Sequence, residues 1–173
     1  MIENRYPERY QAMCNAKATS DDEVDPVSKI RYRKRRPERS DAAEVFIRSL
    51  EEAMKRQYKA RGKVWTEREP HPLNQSSELK SVPMGMPLDY YLPDVWRAFA
   101  PAERYSALRG TDGKGRPKIA FLPKPGESFG QGDEESKRLE ALTDDEFFNV
   151  RASVVLPLYN YNVDSSPDNM ETD

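Results

Sequence analysis

The sequence is short of the residues on which most site chemistry is built, with one cysteine, Cys14, and one histidine, His71. A lone cysteine excludes an internal disulfide and fits a reducing compartment. In so polar an arm it reads as a spare small residue, not a reactive thiol. One histidine and one cysteine cannot assemble a usual structural zinc site. His71 stands between Pro70 and Pro72 and reads as an exposed loop residue. Long hydrophobic runs are missing too. No stretch approaches the roughly 18 apolar residues of a membrane span, and Met1 to Tyr10 is polar, without the apolar centre of a secretory signal. The expected setting is intracellular, cytoplasmic or nuclear, with no membrane contact.

Catalytic and cofactor motifs are absent as well. The run from Gly110 to Gly115 has a Gly-Lys pair but neither the glycine spacing nor the following Ser or Thr of a phosphate-binding loop. Gly126, Gly130 and Gly132 miss dinucleotide-binding spacing, and no Gly-x-Ser-x-Gly element is present. The acidic tail from Asp164 to Asp173 lacks the central glycine and closing glutamate of a calcium loop. The sequence is therefore read as that of a non-enzyme, with no cofactor and no metal.

What is present is charge. Apolar residues make up 36% of the 173-residue chain and charged residues 34%, where ordinary domains run near 45–50% and 25%. Fourteen prolines add breaks. These values predict about 90 to 110 packed residues, with the rest extended or disordered until a partner orders it. The charge is unevenly spread. Lys29 to Arg39 holds seven basic residues and one acid, Glu38, whereas Gly126 to Asp173 holds twelve acids against Lys137, Arg138 and Arg151. Such a chain can fold its arm onto its own tail or give each end a different partner.

The expected layout is a flexible arm over 1–40, a small helical core over 41–156 with an irregular connection at 66–87, and an acidic tail over 157–173. The fold class is mainly α, a small α or α+β core of short helices with at most a short strand. In the arm, Ile30 and Tyr32 alternate with Lys29, Arg31 and Arg33, so an extended backbone would put the cations on one side. A helix is predicted over 42–61, with Asp41 and Glu44 at capping-box spacing and Gly62 at the C-terminal cap. Phe46, Leu50, Met54 and Tyr58 recur every four residues as its apolar stripe. Glu44 with Arg48, Glu51 with Lys55, and Glu52 with Arg56 are expected as i, i+4 pairs on the solvated side.

Pro93 and Pro101 suit the first turns of two short helices, about 94–99 and 102–109. A turn at 112–115 and a short strand over 119–122 follow. A helix is expected over 134–142. Thr143 and Glu146 then form a capping box for another, with a strand over 152–156 as the alternative. There is no internal repeat and no heptad array.

Two candidate surfaces emerge. Lys29, Arg31, Tyr32, Arg33, Lys34, Arg35, Arg36 and Arg39 form a polyanion-binding stretch: arginine forks match phosphate oxygens, and Tyr32 can stack on an unpaired base. The same stretch also fits an import signal, an acidic protein surface or a solvated linker. Phe46, Leu50, Met54, Tyr58, Tyr90, Tyr91, Trp96 and Phe99 form a protein-interface candidate, rich in the aromatics that anchor interfaces. Packing of a small core is the competing reading of Tyr90, Tyr91, Trp96 and Phe99. The layout is that of a non-catalytic assembly or adaptor protein, an accessory subunit of a larger complex, nucleoprotein or viral, whose basic arm meets RNA or DNA. A nucleic-acid-binding regulator and a small enzyme of unfamiliar type are the alternatives.

Overall fold

The computed structural model describes residues 8–11, 13, 21–73, 75–123 and 133–162. Cys14 and the acidic tail beyond Asn162 lie outside the described residues. The elements are α1 (Glu8–Gln11), β1 (Asp21–Val24), β2 (Arg31–Lys34), α2 (Asp41–Ala60), β3 (Arg68–Pro70), α3 (Pro93–Ala98), α4 (Pro101–Ala107), α5 (Glu134–Glu140) and α6 (Asp144–Val155). Two single-turn 3₁₀ segments, Leu88–Tyr90 and Leu156–Tyr159, complete them. The architecture is mainly helical with one small sheet of order β1-β2-β3.

Opposite charges bring β1 and β2 together. They pair antiparallel with Asp21 against Lys34 and Asp22 against Arg33, so the acidic strand lies across the basic one. Their connection is closed by the Asp25 carboxylate, which accepts from the amides of Val27 and Ser28 at 2.7 Å; those bonds hold the Asp25 carboxyl below its ordinary value. β3 joins the other side of β2 in parallel, with Arg31 beside Arg68 and Arg33 beside Pro70. Residues 21–24 and 31–34, expected as part of a flexible arm, are thus strands joined by a turn, and β3 lies inside the connection expected to be irregular. Asp21, Asp22, Glu23 and Asp25 make a local acidic run, close in sequence to the basic stretch at 29–39. Among the described residues the basic stretch meets that run by strand pairing and through Lys34 with Glu23.

Helix α2 starts one residue before the predicted boundary, because Ser40 and not Asp41 is its N-cap. The Ser40 hydroxyl accepts from the Ala43 amide at 3.1 Å and donates to the Asp89 carbonyl at 2.6 Å. Gly62, with φ of +64°, turns the chain away after the last turn. The helix buries Ala43, Phe46, Ile47, Leu50 and Ala53. Residues 38–40 also bond with 90–92 along the backbone, through Ser40 N–H to Tyr90 O and Leu92 N–H to Glu38 O. This fixes the start of α2 on the core.

The core itself is aromatic. Tyr91 packs against Tyr90, Trp96 and Phe99 with ring centroids 5.1 to 5.8 Å apart, and Trp96 also meets Tyr159. Buried hydroxyls find acceptors: Tyr91 donates to Ala107 O and Pro83 O, and Tyr159 donates to Tyr91 O. Phe46, Leu50, Tyr90, Tyr91, Trp96 and Phe99 are all buried, so they build the core and are not surface available to a partner. Tyr159 lies past the expected core boundary at 156 yet is 4% exposed. Helices α3 and α4 begin with prolines at their first turns as predicted. Helix α6 carries the Thr143–Glu146 capping box, which excludes the strand alternative at 152–156. Residues 119–122 form no strand, because the amide of Leu122 bonds the Asp89 carboxylate and the carbonyl of Ala120 bonds Leu88.

Near the N-terminus Arg9 is buried, with 2% exposure. Its guanidinium donates to the carbonyls of Leu139, Glu140 and Leu142, pairs with Asp144 at 3.1 Å and lies 4.4 Å from the Phe147 ring centre. It caps the end of α5 and joins it to the start of α6.

Candidate polyanion-binding cleft

Arg33 and Arg35 share a parity along the β2 segment, and both reach toward α2. Arg33 pairs with Glu51 at 2.5 Å, and Glu51 also takes Arg68 of β3, which in turn holds Asp22 of β1 at 3.2 Å. Glu51, expected to pair with Lys55 on the solvated side, is instead the joint between helix and sheet; Lys55 turns to Glu67 at 2.7 Å. These four residues form a charged seam that all three strands share with α2. Their side chains keep 13% to 24% exposure, so the seam is only partly screened by water.

On each side of the seam a cleft opens. The first, about 180 Å³, is lined by Arg33, Lys34, Arg35, Asp41, Glu44, Arg48, Pro70 and His71. Arg35 meets Asp41 at 3.3 Å with both side chains more than half exposed, and Arg48 meets Glu44 at 3.6 Å. Surface pairs of this kind are worth about 0–1 kcal/mol, so they open at small cost. His71 sits half-buried at the cleft wall, edge-on to Tyr32 at 5.7 Å, and its Nδ1 accepts from the Leu73 amide. The second cleft, about 240 Å³, is lined by Asp22, Arg31, Tyr58, Val64, Trp65, Thr66 and Arg68.

A family model described as a domain of unknown function, DUF8263, matches residues 1–166. The chain belongs to the DUF8263 family. No curated protein and no solved structure matches it.

Within this DUF8263 domain the predicted basic stretch is split by its surroundings. Arg33, Lys34 and Arg35 converge on the first cleft, and Arg31 lines the second. Lys34 also pairs across the sheet with Glu23 at 2.5 Å, which lowers the Glu23 carboxyl's affinity for a proton. Lys29 is exposed in the turn, with a left-handed φ of +62°. Tyr32 is half-buried against His71. Arg36 and Arg39 are drawn inward instead: Arg36 pairs with the buried Glu38 at 2.6 Å, and Arg39 is 4% exposed beside Glu44. Of the predicted interface residues, Met54 is half-buried and Tyr58 is exposed.

Sequence reasoning missed Arg48, Arg68, Trp65 and the wall position of His71. Arg48 had a signal, since it lies one helical turn before Glu51 on the polar flank of α2. Arg68 and Trp65 had none, because only the parallel pairing of β3 brings them beside β2. Among the described residues no helix is long and apolar enough to cross a membrane, and no three potential metal ligands cluster. The buried carboxyl of Asp89 lines neither cleft.

Proposed function

We propose that this protein is a non-catalytic assembly subunit that holds the phosphate backbone of a nucleic acid in the cleft between β2 and α2. The observation that carries the reading is the convergence of Arg33, Lys34 and Arg35 from the strand with Arg48 from the helix on one concave surface. Among the described residues Arg35 and Arg48, each more than half exposed, pair only with Asp41 and Glu44. Arg33 is committed to Glu51 and acts as the fixed wall. The setting of such a role is intracellular, cytoplasmic or nuclear.

The test is binding of the full chain to nucleic acid and to inorganic polyphosphate across a salt series. The expected affinity falls with salt, and Arg35→Gln with Arg48→Gln weakens it and flattens the logarithmic slope by about 1.4 to 1.8, as expected for two lost phosphate contacts. Binding that ignores salt, or that the double variant leaves unchanged, rejects the cleft.

A second observation supports the assembly side. In a chain that is 34% charged, residues 147–162 carry one charge, Arg151, which faces the buried Asp89. The outer side of α6 shows Val150, Val154 and then Leu158, each half or more exposed. Val150 and Val154 share one side of α6 and Leu158 follows in the 3₁₀ turn, with Arg97 at its edge donating to the Leu158 carbonyl at 3.1 Å; a second copy set across the stripe would bury these side chains. A second copy of this chain is the occupant this face fits. Val154→Asp should then lower the sedimentation mass of the full chain, and a wild-type monomer at high concentration removes this reading.

A further inference from the structure

We propose that the second cleft takes an unpaired base of a single-stranded nucleic acid, as a continuation of the strand whose phosphates occupy the first cleft. This rests on the polyanion reading above and narrows it to single strands. The base-stacking groups are Trp65 and Tyr58. Their rings meet edge-on, 5.3 Å apart at 78°, with Trp65 half-buried and Tyr58 40% exposed. An edge-on pair leaves one ring with neither face covered by the other, which a stacked pair would not do. The Lys63 ammonium lies 6.0 Å from the Tyr58 ring centre, adding a cation at the rim.

Charge decides the class of ligand. Aromatic walls alone would also suit a methylated ammonium group. Here Arg31 and Arg68 lie side by side in the parallel register, and both line the cleft. Arg68 is held by Asp22 and Glu51, whereas among the described residues no carboxylate pairs with the exposed Arg31. A cationic ligand would meet Arg31 with a like charge. A nucleotide offers a π-face to Trp65 and a phosphate to Arg31 together.

The two clefts are also in line. Arg31 and Arg35 are four residues apart on one extended segment, about 13 Å at the rise of a strand, and α2 runs beside both, from Asp41 and Arg48 at one end to Tyr58 at the other. Single-strand sites span about 4 to 16 nucleotides, so one strand reaches both. A duplex keeps its bases stacked inside and has no face to offer Trp65.

The experiment compares three probes on the full chain: a single strand of about 12 nucleotides, as DNA and as RNA, the matching duplex, and inorganic polyphosphate. Binding is followed by titration and by tryptophan emission. Trp96 is buried, so emission that responds to ligand belongs to Trp65, and Trp65→Phe checks this assignment by abolishing the response while keeping a ring to stack on. The expected result is quenching by the single strands and none by polyphosphate. Trp65→Ala should weaken single-strand binding about 5- to 100-fold, with Tyr58→Ala as a second, milder variant, and polyphosphate affinity should stay the same. If single strand and polyphosphate both bind but neither quenches Trp65, and the aromatic variants change nothing, the stacking site is overturned while the phosphate cleft stands. If no probe binds, the polyanion reading falls and the stacking site with it.

Discussion

Replacing Asp89 by Asn should change the pH dependence of stability by an amount that the surroundings of this carboxyl set. Asp89 lies in the 3₁₀ turn at 88–90, where Oδ1 accepts from the Leu122 amide at 2.7 Å. Its Oδ2 is 3.5 Å from the Arg151 guanidinium, too far for a strong hydrogen bond, and no hydrogen bond satisfies that oxygen among the described residues. Burial outweighs the amide and Arg151, and pushes the carboxyl from its ordinary 3.8 up to about 6. A raised carboxyl favours the protonated folded state. Its contribution is full below about pH 4 and is lost as pH rises through about 6, so stability from this group falls across that window. Two units correspond to about 3 kcal/mol. Asparagine keeps the acceptor for Leu122 and does not titrate. In urea unfolding at pH 4, 5, 6 and 7, the stability of Asp89→Asn relative to wild type should therefore climb by about 3 kcal/mol toward neutral pH. All other titrating groups are common to both proteins and cancel. A flat difference, or one that moves against the variant, would refute the reasoning and mean that Arg151 at 3.5 Å offsets the lost hydration of the carboxylate.

Substitutions at three other positions test the scaffold by the same unfolding assay. Arg9→Ala removes the donors to Leu139, Glu140 and Leu142 and the contact with Phe147, and should cost about 2–4 kcal/mol. Arg9→Lys should recover less than half, because an ammonium cannot fork across three carbonyls; full recovery would reduce Arg9 to a simple charge. Ser40→Ala loses the helix cap and the bond to Asp89 O together, for about 1–2 kcal/mol. Glu51→Gln leaves Arg33 and Arg68 without their shared carboxylate, and should cost about 1–3 kcal/mol once their partial exposure is allowed for. A change below the error of the assay would show that the seam contributes no stability.

Helices were legible where the period and the punctuation agreed. Phe46 and Leu50 on one stripe, Pro93 and Pro101 at first turns, Gly62 past the last turn of α2, and Thr143 with Glu146 each placed an element to within a few residues. These signals are local, and local sequence contains them. The sheet was only partly legible: Ile30 and Tyr32 alternating with Lys29, Arg31 and Arg33 allowed an extended backbone at β2, but no apolar pattern marks β1 or β3. Asp21–Val24 and Arg31–Lys34 pair through complementary charge, and β3 is a three-residue strand holding a proline. Arg9 was invisible for another reason: a single arginine in a polar stretch carries no sign that carbonyls 130 residues away will cap it. The candidate site was half legible. Its cations were named from their density, but density could not separate Arg36 and Arg39, which turn inward, from Arg31 and Arg35, which do not.

That separation bounds what the cleft can do. A run of seven basic residues suggests a strong electrostatic contact, yet Arg33 is tied into the seam, Lys34 to Glu23, Arg36 to Glu38 and Arg39 to Glu44. Removing any of these from its acid to meet a phosphate would loosen the scaffold: Arg33 ties sheet to helix, Lys34 ties β2 to β1, and Arg36 and Arg39 pair with acids at or near the start of α2. The cations that could meet a phosphate at small cost are Arg35 and Arg48, held by weak pairs, and Arg31, which pairs with no carboxylate among the described residues. Three phosphate contacts give a salt slope of about 2 to 3, well below the slope near 10 of a strong duplex-binding repressor. One copy should therefore bind weakly and release readily. Strength would have to come from several copies on one strand, where each further contact is made at the high local concentration that tethering provides. On the proposed reading, weak single sites and a second copy docked on the stripe of Val150, Val154 and Leu158 are mutually consistent: with the basic stretch folded into its own scaffold, tight binding would require assembly.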